Sequence, residues 1–141
     1  MRALFDVNVL LALIDQDHIF HARTRTWWAD EQRHGWASCP LTQNGFVRII
    51  SQRSYLSPRS IGDALGMLKT ATARPDHEFW PDDISILDAE VDHSHLLGPK
   101  QITDVYLLAL AVRHGGRFVT CDRGISHKAS KGAASSNLVI L

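Results

Sequence analysis

Cysteine is scarce in this chain of 141 residues: Cys39 and Cys121 are the only two. That excludes a disulfide framework and sets the expectation of a reducing, cytoplasmic environment. Net charge is missing too, since 15 basic side chains balance 15 acidic ones. No overall field draws a polyanion to such a chain, so contact with one must come from a local basic patch. No apolar run reaches the ~18 residues that span a bilayer, which excludes a membrane helix. The first residues enter a strand-like pattern at once, with no signal peptide, and no repeat or low-complexity tract follows. With 45% hydrophobic and 21% charged residues, the chain reads as one globular domain over residues 1–141.

The apolar pattern alternates between strands and helices. Residues 1–5 read as a strand ending at Asp6, and residues 7–14 as a buried helix whose first turn Asp6 and Asn8 can serve. Residues 20–34 carry a helical pattern stopped by Gly35. Trp27 and Trp28 are adjacent, so one is expected to face the core and the other a partner. A strand at 36–38 precedes a helix at 40–50 with Pro40 in its first turn. Ser57 and Pro58 mark the start of a further helix, which Arg74-Pro75 ends. A short strand is expected at 78–80 and a short helix within 84–97. Thr103 then caps an apolar helix over 104–114. Strands at 117–120 and 138–141 complete a parallel α/β sheet covered on both faces.

Three aspartates stand where this chain changes direction. Asp6 and Asp122 follow the carboxyl ends of expected strands, where α/β sheets gather ligands. Asp104 opens a helix, where the macrodipole favours its charged form. Singly, each also reads as a cap, a dipole partner or a turn residue. Together they suggest a cluster that repels itself unless a cation occupies it. Hard cations such as Mg²⁺ and Mn²⁺ take such oxygen donors and bring phosphate with them, so metal-assisted phosphodiester hydrolysis is the matching chemistry.

The stretches Asp6-Val7-Asn8-Val9-Leu10-Leu11, Ile102-Thr103-Asp104-Val105-Tyr106-Leu107-Leu108 and Val119-Thr120-Cys121-Asp122-Arg123-Gly124 resemble the PIN-domain ribonucleases. The likeness is greatest to the VapC-type toxins of bacterial toxin–antitoxin pairs. It spans the chain, in order and with suitable spacing. It implies a PIN-like three-layer fold with a central parallel sheet of about five strands. It further implies an endoribonuclease dependent on Mg²⁺ or Mn²⁺, acting on RNA, restrained by a cognate antitoxin, and homodimeric. Asp6, Asp104 and Asp122 match the family's acidic positions as catalytic and metal-holding residues. The resemblance also places Asn8 and Thr120 near that site as supporting groups. In one respect the chain departs from the family: Gln43 stands where a glutamate is usual, leaving three formal negative charges.

Beyond Asp122, Arg123, His127, Lys128 and Lys131 make a basic stretch that reads either as a mobile loop gripping RNA phosphates or as a solvated loop. Arg48 and Arg53 extend it. Asp92-His93-Ser94-His95 and the pair His18 and His21 read as surface polarity and not as zinc sites. Cys121 reads as a buried small residue. A phosphatase of the haloacid dehalogenase type also places Asp after its first strand, but wants a carboxylate two residues on, where this chain has Asn8. The other rival is a PIN-like module that binds RNA or antitoxin without efficient cleavage, which Gln43 favours. If Gln43 costs the site a charge, Gln43→Glu tightens Mg²⁺ binding; unchanged affinity by calorimetry contradicts that reading.

Overall fold

The computed structural model describes residues 1–141. Its elements are β1 (Ala3–Phe5), α1 (Val7–Ile14), α2 (His21–Glu31), β2 (Trp36–Ser38), α3 (Pro40–Ile50), α4 (Ile61–Thr72), β3 (His77–Phe79), α5 (Ile102–Arg113), β4 (Arg117–Thr120) and β5 (Leu138–Ile140), with short 3-10 turns between some of them. The five strands form one sheet in the order β3-β2-β1-β4-β5, and every pairing is parallel. The chain builds outward from β1 to β3, then crosses back to lay β4 on the free side of β1. This reversal puts the switch point of the sheet between β1 and β4, and the crevice there opens at their carboxyl ends. No helix is long and apolar enough to cross a membrane.

Side chains alternate across the strands, so the sheet has a core on each face. Ala3, Phe5 and Trp36 pack with Leu10, Phe46 and Leu68 of α1, α3 and α4. Leu4, Ala37 and Phe118 pack on the other face with Val105, Leu108 and Leu110 of α5. α5 is buried on nearly all sides, which accounts for its almost uninterrupted apolar sequence. Phe5 stacks on Trp36 at 5.4 Å and meets the edges of both Trp27 at 6.3 Å and Trp28 at 5.3 Å. Both tryptophans thus pack on Phe5 and both stay half-buried, rather than one facing the core and the other away from it. At the amino edge of the sheet, Arg2 pairs with Glu78 at 2.9 Å and Arg117 with Glu31 at 2.5 Å.

α1, β2, α3 and β4 occupy the spans that their periodicity predicts. Elsewhere the structure corrects the sequence reading. α4 starts at Ile61, not at Pro58, and Ser60 caps it by accepting the Asp63 N–H at 3.0 Å. The chain before it stays out of the helix, and Asp15, 2% exposed, holds it in place. Asp15 accepts from the Tyr55 hydroxyl at 2.6 Å and pairs with Arg59 at 3.4 Å. Residues 84–97 hold no α-helix. The segment makes a turn at residues 86–88, an isolated antiparallel bridge between Val91 and Ser130 and a 3-10 turn, His93–His95. α5 begins at Ile102, ahead of Thr103, after a 3-10 turn Pro99–Gln101.

α1 and α3 approach closely because residue 45 is glycine. A Cβ built there would lie 2.5 Å from Val7 Cγ2. Valine is stiff at χ1 and cannot swing aside. Gly45→Ala is expected to lower stability by about 1–3 kcal/mol through overpacking, read from denaturant unfolding; an unchanged midpoint contradicts it.

Candidate functional site

β1 ends at Phe5, and the next residue, Asp6, caps α1. Its Oδ1 accepts the Val7 N–H at 2.6 Å, which satisfies one of the orphan donors of the helix. Its Oδ2 accepts the Thr120 hydroxyl at 3.0 Å. Thr120 is the buried last residue of β4, one strand away. Having given its proton to Asp6, the hydroxyl accepts the Asp122 N–H at 3.0 Å. Asp122 in turn accepts the Gly124 N–H on Oδ1 at 2.7 Å. The carboxyl ends of β1 and β4 are thus stitched together through the hydroxyl of Thr120, with Asp6 buried and Asp122 exposed.

Asp104 sits in the first turn of α5 and is 8% exposed. Burial, and after it the charges of Asp6 and Asp122, push its carboxyl up to about 7. The Asp6 carboxyl is raised as well. Burial is the largest cause, hydrogen bonds from Thr120 and Val7 oppose it, and the Asp122 charge adds a little. The three carboxylates therefore sense one another across the switch point. None of them takes part in an ion pair. As placed, no three His, Cys, Asp or Glu side chains stand close enough together to cage a metal ion by themselves. Hard oxygen donors with uncompensated negative charge suit a hard divalent cation that keeps part of its water.

The other residues singled out from the sequence are placed as follows. Asn8 is exposed in the first turn of α1. Gln43 lies in the first turn of α3, and its Nε2 donates to Ser38 Oγ at 2.9 Å. Ser38 Oγ lies 2.8 Å from His77 Nε2, and burial holds that imidazole below its ordinary value. A neutral ring accepts the Ser38 proton, which leaves Ser38 to receive from Gln43. Gln43 thus makes no hydrogen bond to any of the three aspartates. Arg123, Lys128 and Lys131 are exposed in the segment after β4. That segment is pinned rather than loose: Ala129 and Ser130 are buried, and the Asp92 and Lys131 N–H groups donate to Ala129 and Glu90 carbonyls at 2.9 and 3.2 Å. Arg48 lies in the last turn of α3, at the end remote from Pro40.

Sequence reasoning passed over Gln101, whose buried amide links the approach to α5 with Gly124. Its one visible signal is its place a single turn before Asp104. A cleft of about 310 Å³ lies elsewhere, between α1, α2 and α4, lined by Leu10, Leu13, Trp28 and Trp36 with Arg25 and Arg74. It contains no carboxylate and is not the acidic site.

Residues 3–131 match the PIN domain. The chain is 56% identical to Ribonuclease VapC44 of Mycobacterium tuberculosis (strain H37Rv) over the full length of both. It is 45% identical to Ribonuclease VapC38 of the same organism, covering 87% of this chain and 86% of that one. A crystal structure of VapBC2 from Rickettsia felis bound to a DNA fragment from their promoter superposes with a TM-score of 0.64 at 11% identity, covering 100% of this chain and 98% of that chain. That last likeness speaks for the fold alone. On the full-length identity and the family match together, the chain belongs to the PIN-domain family as a VapC-type ribonuclease.

Proposed function

We propose that this protein hydrolyses RNA phosphodiester bonds as the toxin of a toxin–antitoxin pair, with a divalent cation held by Asp6, Asp104 and Asp122. The observation that carries this reading is the Asp104 carboxyl. It is buried beside two other carboxylates, has no basic partner, and is pushed up to about 7. Mg²⁺ or Mn²⁺ bound there supplies positive charge against the phosphate and makes water a better nucleophile.

The chain's own residues arrange the rest. Asp6 is oriented by two donors, the Val7 N–H and the Thr120 hydroxyl, so its carboxylate is fixed before any ligand arrives. Asp104 faces the positive end of the α5 macrodipole, which partly offsets its neighbours. Without a cation the Asp104 carboxyl, pushed up to about 7, keeps its proton in about half of the molecules at neutral pH. It releases that proton when the site is loaded, which makes metal uptake pH-dependent. Arg123, next in the chain to Asp122, and Lys128 are exposed cations that support contact with RNA phosphates; Lys131, which lies against Ala109 and Arg113 in the last half of α5, and Arg48 are outlying members of that set. Ile19 and Leu56, 84% and 86% exposed, lie in loops joined by the Asp17–Ser57 hydrogen bond. Ile61 and Leu65 continue the exposed apolar surface along α4. These side chains support a protein partner, the cognate antitoxin and a second copy of the chain. A second reading, RNA or antitoxin binding without efficient cleavage, is supported by the neutral Gln43, whose amide Ser38 engages.

Incubation of the purified protein with structured RNA separates the two. Mn²⁺-dependent cleavage, abolished by EDTA and reduced about 10²-fold or more in Asp6→Asn and Asp104→Asn, is the expected result. Cutting at equal rates in both variants overturns the assignment. The metal-free protein has a pH signature as well. The folded state holds the Asp104 proton up to about 7, whereas the unfolded chain loses it in the ordinary carboxylate range. The folded state therefore binds more protons between those values, and stability falls as pH rises through the window. Thermal midpoints in EDTA should decline from about pH 5 to about pH 8, and Asp104→Asn should flatten the decline; a midpoint that climbs over that range contradicts it.

A further inference from the structure

We infer that Gln101 is a positioning residue for the acidic cleft: its buried amide ties the chain ahead of α5 to the loop after β4, and so sets Asp104 against Asp122. The inference rests on the metal-holding role proposed above for the three aspartates.

Gln101 is 6% exposed, and both ends of its amide are used. Oε1 accepts the Leu97 N–H at 2.6 Å, and Nε2 donates to the Gly124 carbonyl. The hydrogen bonds continue from there without a gap. The Gly124 N–H donates to Asp122 Oδ1, the Asp122 N–H to Thr120 Oγ1, and the Thr120 hydroxyl to Asp6 Oδ2. One chain of contacts therefore runs from the approach to α5 through the Asp122 loop to the end of β1. Gln101 caps α5, and Asp104 stands in the first turn of that helix. Gly124 makes the close approach possible. A Cβ at that position would lie 2.8 Å from Gln101 Nε2 and 3.1 Å from Asp122 Oδ1.

The chemistry of the amide explains why glutamine suits this place. Three carboxylates repel one another, so a neutral tether must hold their backbones together. Glutamate would turn an anion towards the Gly124 carbonyl and add a fourth negative charge to the cleft. Lysine or arginine would donate to that carbonyl but neutralise the acids that are to meet a cation. An amide on a long side chain accepts and donates at two separate atoms while leaving the charge count unchanged. Groups that orient metal-holding side chains characteristically change metal affinity 10–100-fold when lost.

Two variants cut the tether from opposite sides. Gln101→Met keeps the length of the side chain and removes both hydrogen bonds. Gly124→Ala drives a methyl between Gln101 and Asp122, at a residue whose backbone is outside the left-handed region. Mn²⁺ affinity is measured by calorimetry on the RNA-free protein, with folding checked by circular dichroism. Each variant is expected to bind Mn²⁺ about tenfold more weakly, and the double variant no more weakly than the worse single one, since both break one link. Tyr55→Phe, which removes a hydrogen bond to buried Asp15 at the far end of α1, serves as the comparison and should leave Mn²⁺ affinity unchanged. Parent protein that takes up no Mn²⁺ overturns the metal assignment and this inference with it. Parent that binds while either folded single variant binds within twofold of it overturns the positioning role alone, as does an equal loss in Tyr55→Phe.

Discussion

Like charges held together at the carboxyl ends of β1 and β4 are the constraint around which this molecule is arranged. Burying Asp6 and Asp104 within reach of Asp122 is unfavourable, as the raised Asp104 carboxyl records. Against that cost stand two apolar cores, one on each face of the sheet, and a few well-aimed polar contacts. The Thr120 hydroxyl is central among them. It spans two strands, fixes one carboxylate by donation and the loop of another by acceptance. The strand order makes this possible, because only the reversal at β1 and β4 brings residues 6 and 120 side by side.

α1 shows how the same eight residues serve stability and function. Its first end is capped by Asp6 and its last is bound by Asp15, which gathers Tyr55 and Arg59. The two aspartates are treated oppositely. Asp15 is supplied with a cation and a phenol and closes a loop junction. Asp6 is supplied only with neutral donors and remains available as an acid. The close contact of Gly45 with Val7 fixes α3 against the same helix, next to the residue that carries the site.

Much of this could be read from the sequence, and the reasons are local. Residues 7–14, 36–38, 40–50 and 117–120 have their period and punctuation in agreement, and the structure keeps those spans. The three aspartates were recognisable because strand ends and a helix start are visible in the apolar pattern. Errors arose where a distant group overrode the local signal. Pro58 resembles a helix start, but that loop is held by Asp15, 44 positions before Arg59. Residues 84–97 are held by a bridge to Ser130, which no local pattern announces. Gln101 was overlooked for the same reason: its partner Gly124 lies 23 positions away, and a polar residue before a helix looks like solvent-facing chain. Gln43 was placed by resemblance early in the helix after the second strand, and it lies there, with its amide engaged by Ser38 and, through it, His77.

The strands are only three or four residues long, so the sheet is about 10–13 Å from edge to edge. At that span a bare arginine on the amino edge would still act on the carboxylates through the dry interior, where ions of the medium do not penetrate to screen it. Arg2 and Arg117 occupy that edge, but each is matched to its own glutamate, Glu78 and Glu31. Seen from the opposite edge, they are dipoles rather than charges. The protein therefore supplies the acids with no compensation from behind. Their charge balance is left to whatever the solvent brings to the open side, and the electrical state of the cleft follows the ionic composition of its surroundings.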